Sequence, residues 1–158
     1  MNLTLDEMLL HLAEVTIAIR HETHEALTHA AQIVQREAQQ ELGTYQGAAG
    51  PFAAWAELAD ATKEERVALG FSENDPGVRT GEMRDSIQYS VGTGADWQQA
   101  NVGSDDPKMV YFELGTMTQP PRSALGGAAF RRAPEIAHAL GEAAVRALVG
   151  PHTRIRIP

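Results

Sequence analysis

Residues 5–43 read LDEMLLHLAEVTIAIRHETHEALTHAAQIVQREAQQELG, and this stretch decides the architecture. Residues 1–42 contain neither glycine nor proline, so no breaker interrupts a helix there. Leu5, Leu12, Ile19, Ala26 and Ile33 recur at seven-residue spacing. Met8, Leu9, Val15, Ala30, Val34 and Ala38 widen that row into an amphipathic face. Thr4 or Asp6 suits the N-cap and Gly43 the stop. One helix over about 5–42 would be about 55 Å long, whereas a compact chain of this size has a radius of gyration of about 15 Å. Such a helix must project or kink, and its apolar row, with Leu5, Leu12 and Ile19 as candidate interface residues, then calls for a partner. The alternative is two ordinary helices joined at the polar stretch His21–Glu25.

Beyond Gly43 the pattern shortens. Residues 43–51 carry three glycines and a proline and read as a loop. Pro51 suits a first helical turn, with Phe52, Trp55, Leu58 and Ala59 on one face. A second short helix is expected with Thr62 as cap and Glu65 completing a capping box, ending at Gly70. Thr80 suits the cap of a further short helix through Asp85. Ile87, Tyr89 and Val91 alternate with polar residues as a strand does, Gly92–Gly94 reads as a turn, and Trp97–Val102 as the antiparallel partner strand. Pro107 opens a short piece that Gly115 ends, and Pro120–Pro121 forces extended backbone. Helix returns over about 127–149, with Phe130, Ile136, Leu140, Ala144 and Leu148 as its expected inner face and Pro134 marking its possible first turn. The expectation is α+β: a single domain over 1–150 with a long N-terminal helix, a small antiparallel sheet and a C-terminal helix. Residues 151–158 are read as an extended tail in which Arg154, Ile155, Arg156 and Ile157 alternate like a strand that orders against a neighbouring subunit.

Composition narrows the function. Leu, Ile, Val and Phe number only 33 of 158 residues, against 25 alanines, so the core is built from small side chains and neighbours are needed to bury more surface. The net charge of −8 is the opposite of what phosphate neutralisation requires, which disfavours generic nucleic-acid binding. Without cysteine there is no disulfide, thiolate metal site or cysteine nucleophile. No run approaches the ~18 apolar residues of a membrane span, so no membrane partner is expected.

Catalytic, cofactor and metal sites are not expected either. His21, Glu22, His24 and Glu25 are suggestive, but a helical zinc site wants histidines four apart, and these are three apart on the polar side of the helix. Glu82 and Asp85 sit where a helix start favours acids. Glycine-rich stretches lack a dinucleotide or phosphate-loop pattern, and no serine has a nucleophile-elbow context. Glu113 is a lone acid among Val110, Tyr111, Phe112 and Leu114. It is expected either to pair with Arg79, Arg84 or Arg122 if buried, or to face solvent. Gly115 is expected at positive φ.

Three segments carry a resemblance. Thr80, Gly81, Arg84, Ser86 and Ile87, with Met83 at a leucine position, match a Thr-Gly-x-Leu-Arg-x-Ser-Ile pattern. Tyr111, Glu113, Gly115 and Thr116 match Tyr-x-x-Glu-x-Gly-Thr, and Pro120, Arg122 and Leu125 match Pro-x-Arg-Pro-Phe-Leu, with Ser123 and Ala124 departing from it. In this order they resemble the tail-completion (neck, head–tail joining) protein family of long-tailed bacteriophages, with a further likeness to phage virion-morphogenesis proteins at Trp55–Leu58, Thr62 and Arg66. The resemblance implies a structural virion protein of the neck or tail, assembled in the host bacterial cytoplasm. It implies a homo-oligomeric ring, most often a hexamer, between the head connector and the tail tube or tail terminator, with DNA passing through the lumen and no cofactor. Other readings are a tail-terminator or connector subunit, a helical protein-binding module, and a small metal-dependent enzyme.

Overall fold

The computed structural model describes residues 4–149; Arg154, Ile155, Arg156 and Ile157 lie outside them. In chain order the elements are α1 (Leu5–Glu41), α2 (Asp60–Ala68), α3 (Glu82–Asp85), β1 (Ile87–Thr93), β2 (Gln98–Ser104), α4 (Pro107–Leu114) and α5 (Leu125–Val149). This is the expected α+β order.

α1 is one uninterrupted helix, about 55 Å long at 1.5 Å per residue. Thr4 caps it through a capping box: its hydroxyl accepts from the Glu7 amide at 3.3 Å and its own amide donates to Glu7 Oε2 at 2.8 Å. Gly43, at φ 96°, ends it and donates its N–H to the Pro76 carbonyl at 2.7 Å. The two-helix alternative does not occur, because no residue around His21–Glu25 breaks the hydrogen-bond ladder.

α5 lies antiparallel to α1, and the ion pairs between them record the direction. Arg131 meets Glu41, Arg132 meets Glu37 at 2.6 Å, and Arg146 meets Glu22 at 2.8 Å. Between the two helices the packing face is small-residue: Ala26, Ala30, Ala31 and Ala38 of α1, and Gly127, Ala128, Ala143 and Ala147 of α5, are buried. The expected inner face of α5 needs correction. Ile136 and Leu140 are half-buried, but Phe130, Ala144 and Leu148 are exposed. Alanines admit close backbone approach, so the buried face is the one with the smallest side chains. The start of α5 also differs from expectation, since Pro134 lies inside the helix and not in its first turn.

The β1–β2 hairpin packs along another side of α1. It is antiparallel, registered from Ile87 opposite Ser104 to Thr93 opposite Gln98. Gln35 donates to the Ile87 carbonyl at 2.8 Å, Gln32 to the Tyr89 hydroxyl at 3.0 Å, and Gln98 to the Arg20 carbonyl at 2.9 Å. The hairpin therefore runs toward the N-terminus of α1 and ends at Arg20. Gly92 and Thr93 belong to β1, and the turn is closed by the Gly94 amide on the Trp97 carbonyl at 2.9 Å.

Two local expectations are overturned. Residues 51–59 are not helical, because distant groups claim their backbone. Arg122 takes the carbonyls of Ala56 and Glu57, Tyr45 Oη accepts from the Leu58 amide, and the Trp55 amide donates to Gln46. α2 starts at Asp60, so Thr62 is within the first turn and does not cap it.

The larger core side chains collect at the C-terminal end of α1, where Val34, Leu42, Trp55, Met83, Ile87, Met109 and Phe112 pack together. Toward its N-terminus α1 extends past the Arg146–Glu22 pair and the Gln98–Arg20 contact. Leu5 and Leu12 of the projecting part are 67% and 54% exposed, and Ile19 at its base 40%.

Glu41, in the last turn of α1, is 4% exposed, and its Oε2 has no hydrogen-bond partner. Burial pushes its carboxyl from near 4.5 up to about 7, outweighing the attraction of Arg131. The folded chain therefore holds a proton that the unfolded chain releases. The stabilisation is full below about pH 4.5 and is lost as pH rises through about 7. Urea denaturation is expected to show stability falling by about 1–3 kcal/mol across this window, with that component absent in Glu41→Gln.

Candidate functional site

The three segments singled out in the sequence meet where α3, α4 and the start of α5 adjoin. α4 begins with Asp106 as N-cap, its carboxylate accepting from the Lys108 amide at 2.9 Å, and Pro107 at the first position. Its periodicity turns Met109 and Phe112 inward, where Phe112 stacks edge-on against Trp55 with centroids 5.2 Å apart.

Glu113 points toward the first turn of α5. Its carboxylate accepts from the amides of Ala124 at 2.7 Å, Leu125 at 2.9 Å and Gly126 at 2.9 Å, and from the Ser123 hydroxyl. These amides have no partner within the helix, and a negative charge opposes the helix dipole favourably there. Both expectations for Glu113 are therefore corrected: it neither pairs with Arg79, Arg84 or Arg122 nor faces solvent. The two positions that depart from the resembled motif have a local reason. Ser123 supplies a hydroxyl that proline lacks, and Ala124 is fully buried, leaving no room for phenylalanine.

Gly115 follows at φ 76°. A Cβ there would come within 2.8 Å of the Gln119 carbonyl and of the Pro121 nitrogen, so the turn after α4 closes only on glycine. Thr116 shapes that turn by accepting from the Gln119 amide at 3.0 Å, and Pro120 is exposed. Arg122 is buried, with its Nε on Ala56 O at 2.9 Å, Nη2 on Glu57 O at 3.0 Å, and its guanidinium over the Phe112 ring at 6.0 Å. No carboxylate accompanies it, and burial lowers its pKa from the ordinary arginine value. Leu125 is half-buried against the core.

The first segment forms the opposite wall. Gly81, at φ 90°, is the N-cap of α3, and its carbonyl accepts from Asp85 at 2.9 Å. Thr80 is therefore not the cap; it is exposed. Met83 and Ile87 enter the core. Arg84 binds Asp85 at 2.9 Å, and the Ser86 hydroxyl meets that of Ser104 at 2.6 Å, joining α3 to the end of β2. Between the walls lies a groove of about 380 Å³, lined by Arg79, Thr80, Met83, Lys108 and Tyr111 among others. Arg66, also on its wall, spends its guanidinium on the carbonyls of Ser72 and Val78, both at 2.6 Å.

The chemistry of this junction is positional. The buried Arg66 and Arg122 spend their guanidinium groups on backbone carbonyls, and the Ser123 hydroxyl donates to the Glu113 carboxylate, which also holds three backbone amides. Among the described residues no group of three or more His, Asp and Glu side chains could hold a metal, and no helix is long and apolar enough to cross a membrane. Sequence reasoning missed Ser123 and Arg66 as organisers. It also missed a patch of exposed apolar side chains, Val110, Tyr111, Leu114 and Met117. Their spacing of i, i+1, i+4 and i+7 was the available signal. Compared with family models, curated proteins and solved structures, the chain matches none.

Glu113→Gln should destabilise the fold by on the order of 2 kcal/mol, because the new amide group would direct donors at donors. Chemical denaturation measures it, and Ser123→Ala should cost less, about 1 kcal/mol. Gly115→Val should lower stability by about 1–3 kcal/mol through backbone strain; an unaltered melting temperature would contradict the role given to this glycine.

Proposed function

We propose that this chain is a structural subunit of a tailed-phage neck, forming a homo-oligomeric ring, with six copies as the expected number, between the head connector and the tail. The observation that carries the reading is the convergence of the three resembling segments. Residues 80–87 are separated by the whole β1–β2 hairpin from the neighbouring segments 111–116 and 120–125, yet the three form one junction in which Glu113, Gly115 and Arg122 fix loops and the start of α5. Such residues serve an architecture, which is what a tail-completion subunit requires.

Two further features agree with it. Among the described residues Leu5, Met8, Leu9 and Leu12 near the start of α1 stay exposed, as on a subunit of an assembly. The charge of −8 suits the wall of a channel that DNA crosses without adhering. The same projecting helix is the observation favouring the second reading, a module that docks its helix on an unrelated protein.

Negative-stain microscopy of the purified full chain separates them. Rings with an open centre are expected, with their fraction rising with protein concentration. Particles that remain single subunits at high micromolar concentration would refute the ring.

A further inference from the structure

Glu41 is a buried acid that none of the three resembling segments contains, and it sits among linked hydrogen bonds. It closes α1 inside the protein, and Arg131 of α5 is the cation that pairs with it. Arg131 divides its guanidinium between two acceptors. Nη1 donates to Glu41 Oε1, and Nη2 donates to the Gly47 carbonyl at 2.8 Å. The second bond ties α5 to the loop that follows α1. Within that loop Gln46 Nε2 donates to the carbonyls of Glu41 and Thr44 at 3.1 and 3.0 Å, and the Trp55 amide donates to the Gln46 carbonyl at 2.9 Å. Further on, Ala49 is buried, and Gly50 lies so close to the Phe130 ring that a Cβ would collide with it. Gly47 and Ala48 are exposed. The stretch over 44–48 is therefore the part of the loop that can lift, and Arg131 holds it at its middle.

We propose that Glu41, Arg131 and the Gly47 carbonyl form a proton-operated latch, which holds residues 44–48 to α5 while Glu41 is protonated and frees them when it is ionised. A neutral carboxyl accepts one bond from Nη1 and leaves Nη2 to Gly47. An ionised carboxylate spreads its charge over two oxygens, and among the described residues nothing donates to Oε2. A guanidinium fits both oxygens of a carboxylate with two parallel N–H groups, so the charge draws Nη2 from Gly47 to Oε2 as the proton leaves to solvent. Gly127 keeps the space between them clear: a Cβ there would lie 2.8 Å from Arg131 Nη1 and 3.6 Å from Glu41 Oε2. The other charges that bear on Glu41 are the carboxylates of Glu37 on α1 and Glu113 on α4. Both are committed, Glu37 to Arg132 at 2.6 Å and Glu113 to the first amides of α5. Residues 43–51 carry no charge to offer in their place. Burial, with the two carboxylates, outweighs Arg131 and pushes the Glu41 carboxyl up to about 7, so the latch works near neutral pH. The nearest histidines along the two helices, His29 and His138, lie twelve residues before Glu41 and seven after Arg131, so they titrate elsewhere. The latch does not depend on the ring reading above.

Nuclear magnetic resonance of the deuterated full chain tests this in the folded state, titrated between about pH 5 and pH 8. The Glu41 carboxyl carbon reports the proton. The Ala48 amide, whose peptide group contains the Gly47 carbonyl, reports the latch, and the Arg131 guanidinium reports the exchange of partners. The Ala48 amide is expected to move toward its random-coil position as pH rises, with the same midpoint as the Glu41 carbon and the Arg131 signals, while amides over 26–38 of α1 stay in place. In Glu41→Gln, which keeps the neutral form, Ala48 should hold its low-pH position throughout. Should that variant fail to fold by circular dichroism, Arg131→Lys supplies the converse: one ammonium replaces the fork, and Ala48 should sit near its random-coil position at every pH. An Ala48 amide that stays still while Glu41 titrates would overturn the latch. So would a Glu41 carboxyl that titrates in the ordinary range near 4.5, or an Ala48 shift that survives unchanged in Glu41→Gln.

Discussion

The carboxylate of Glu113 on the first amides of α5 is the interaction from which the rest of the arrangement follows. α5 carries no Asp or Glu in its first turn, and the acid that opposes its dipole comes from α4, eleven to thirteen residues earlier. Gly115 makes the geometry possible by reversing the chain, and Arg122 holds the returning strand to the carbonyls of Ala56 and Glu57. With its first turn fixed in this way, α5 is aimed along α1. Arg131, Arg132 and Arg146 then meet Glu41, Glu37 and Glu22 in descending order.

The α1–α5 interface shows how a chain poor in large side chains builds a core. Alanine against alanine brings backbones close, so dispersion contacts are made by main chain and Cβ atoms in place of long side chains. The consequence is a thin buried layer and a surface on which Phe130 and Leu148 remain exposed. Ion pairs flank this layer without dominating it: Arg146 and Arg132 are solvated enough that their pairs contribute modestly. Glu41 is buried deeply enough that its charged form is disfavoured even beside Arg131.

α1 performs two tasks with one repeating face. From Ala26 onward that face is occupied by α5 and the hairpin; nearer the N-terminus Val15 and Ala18 are half-buried, and Leu5, Leu9 and Leu12 are exposed. Leu10 and Ile17 are exposed as well, at positions off the stripe. The projecting segment thus has apolar side chains on more than one side, a distribution suited to a helix enclosed by neighbours in an assembly.

By itself the sequence determined the elements whose signals are local and repeated. The unbroken seven-residue row defined α1, alternation at Ile87, Tyr89 and Val91 defined β1, and Pro107 with Gly115 bounded α4. The positive φ of Gly115 was legible because a helix end followed by a proline turn leaves few other conformations. Tertiary structure alone decided whatever depends on a distant partner. Phe52, Trp55 and Leu58 have helical spacing, yet Arg122 and Tyr45 draw their segment out. Gly81 and not Thr80 caps α3, since the chain must turn there through a conformation that only glycine reaches cheaply. Glu113 among apolar neighbours gave no hint of α5, because a helix amide without a partner is invisible in the sequence until the fold brings an acid to it.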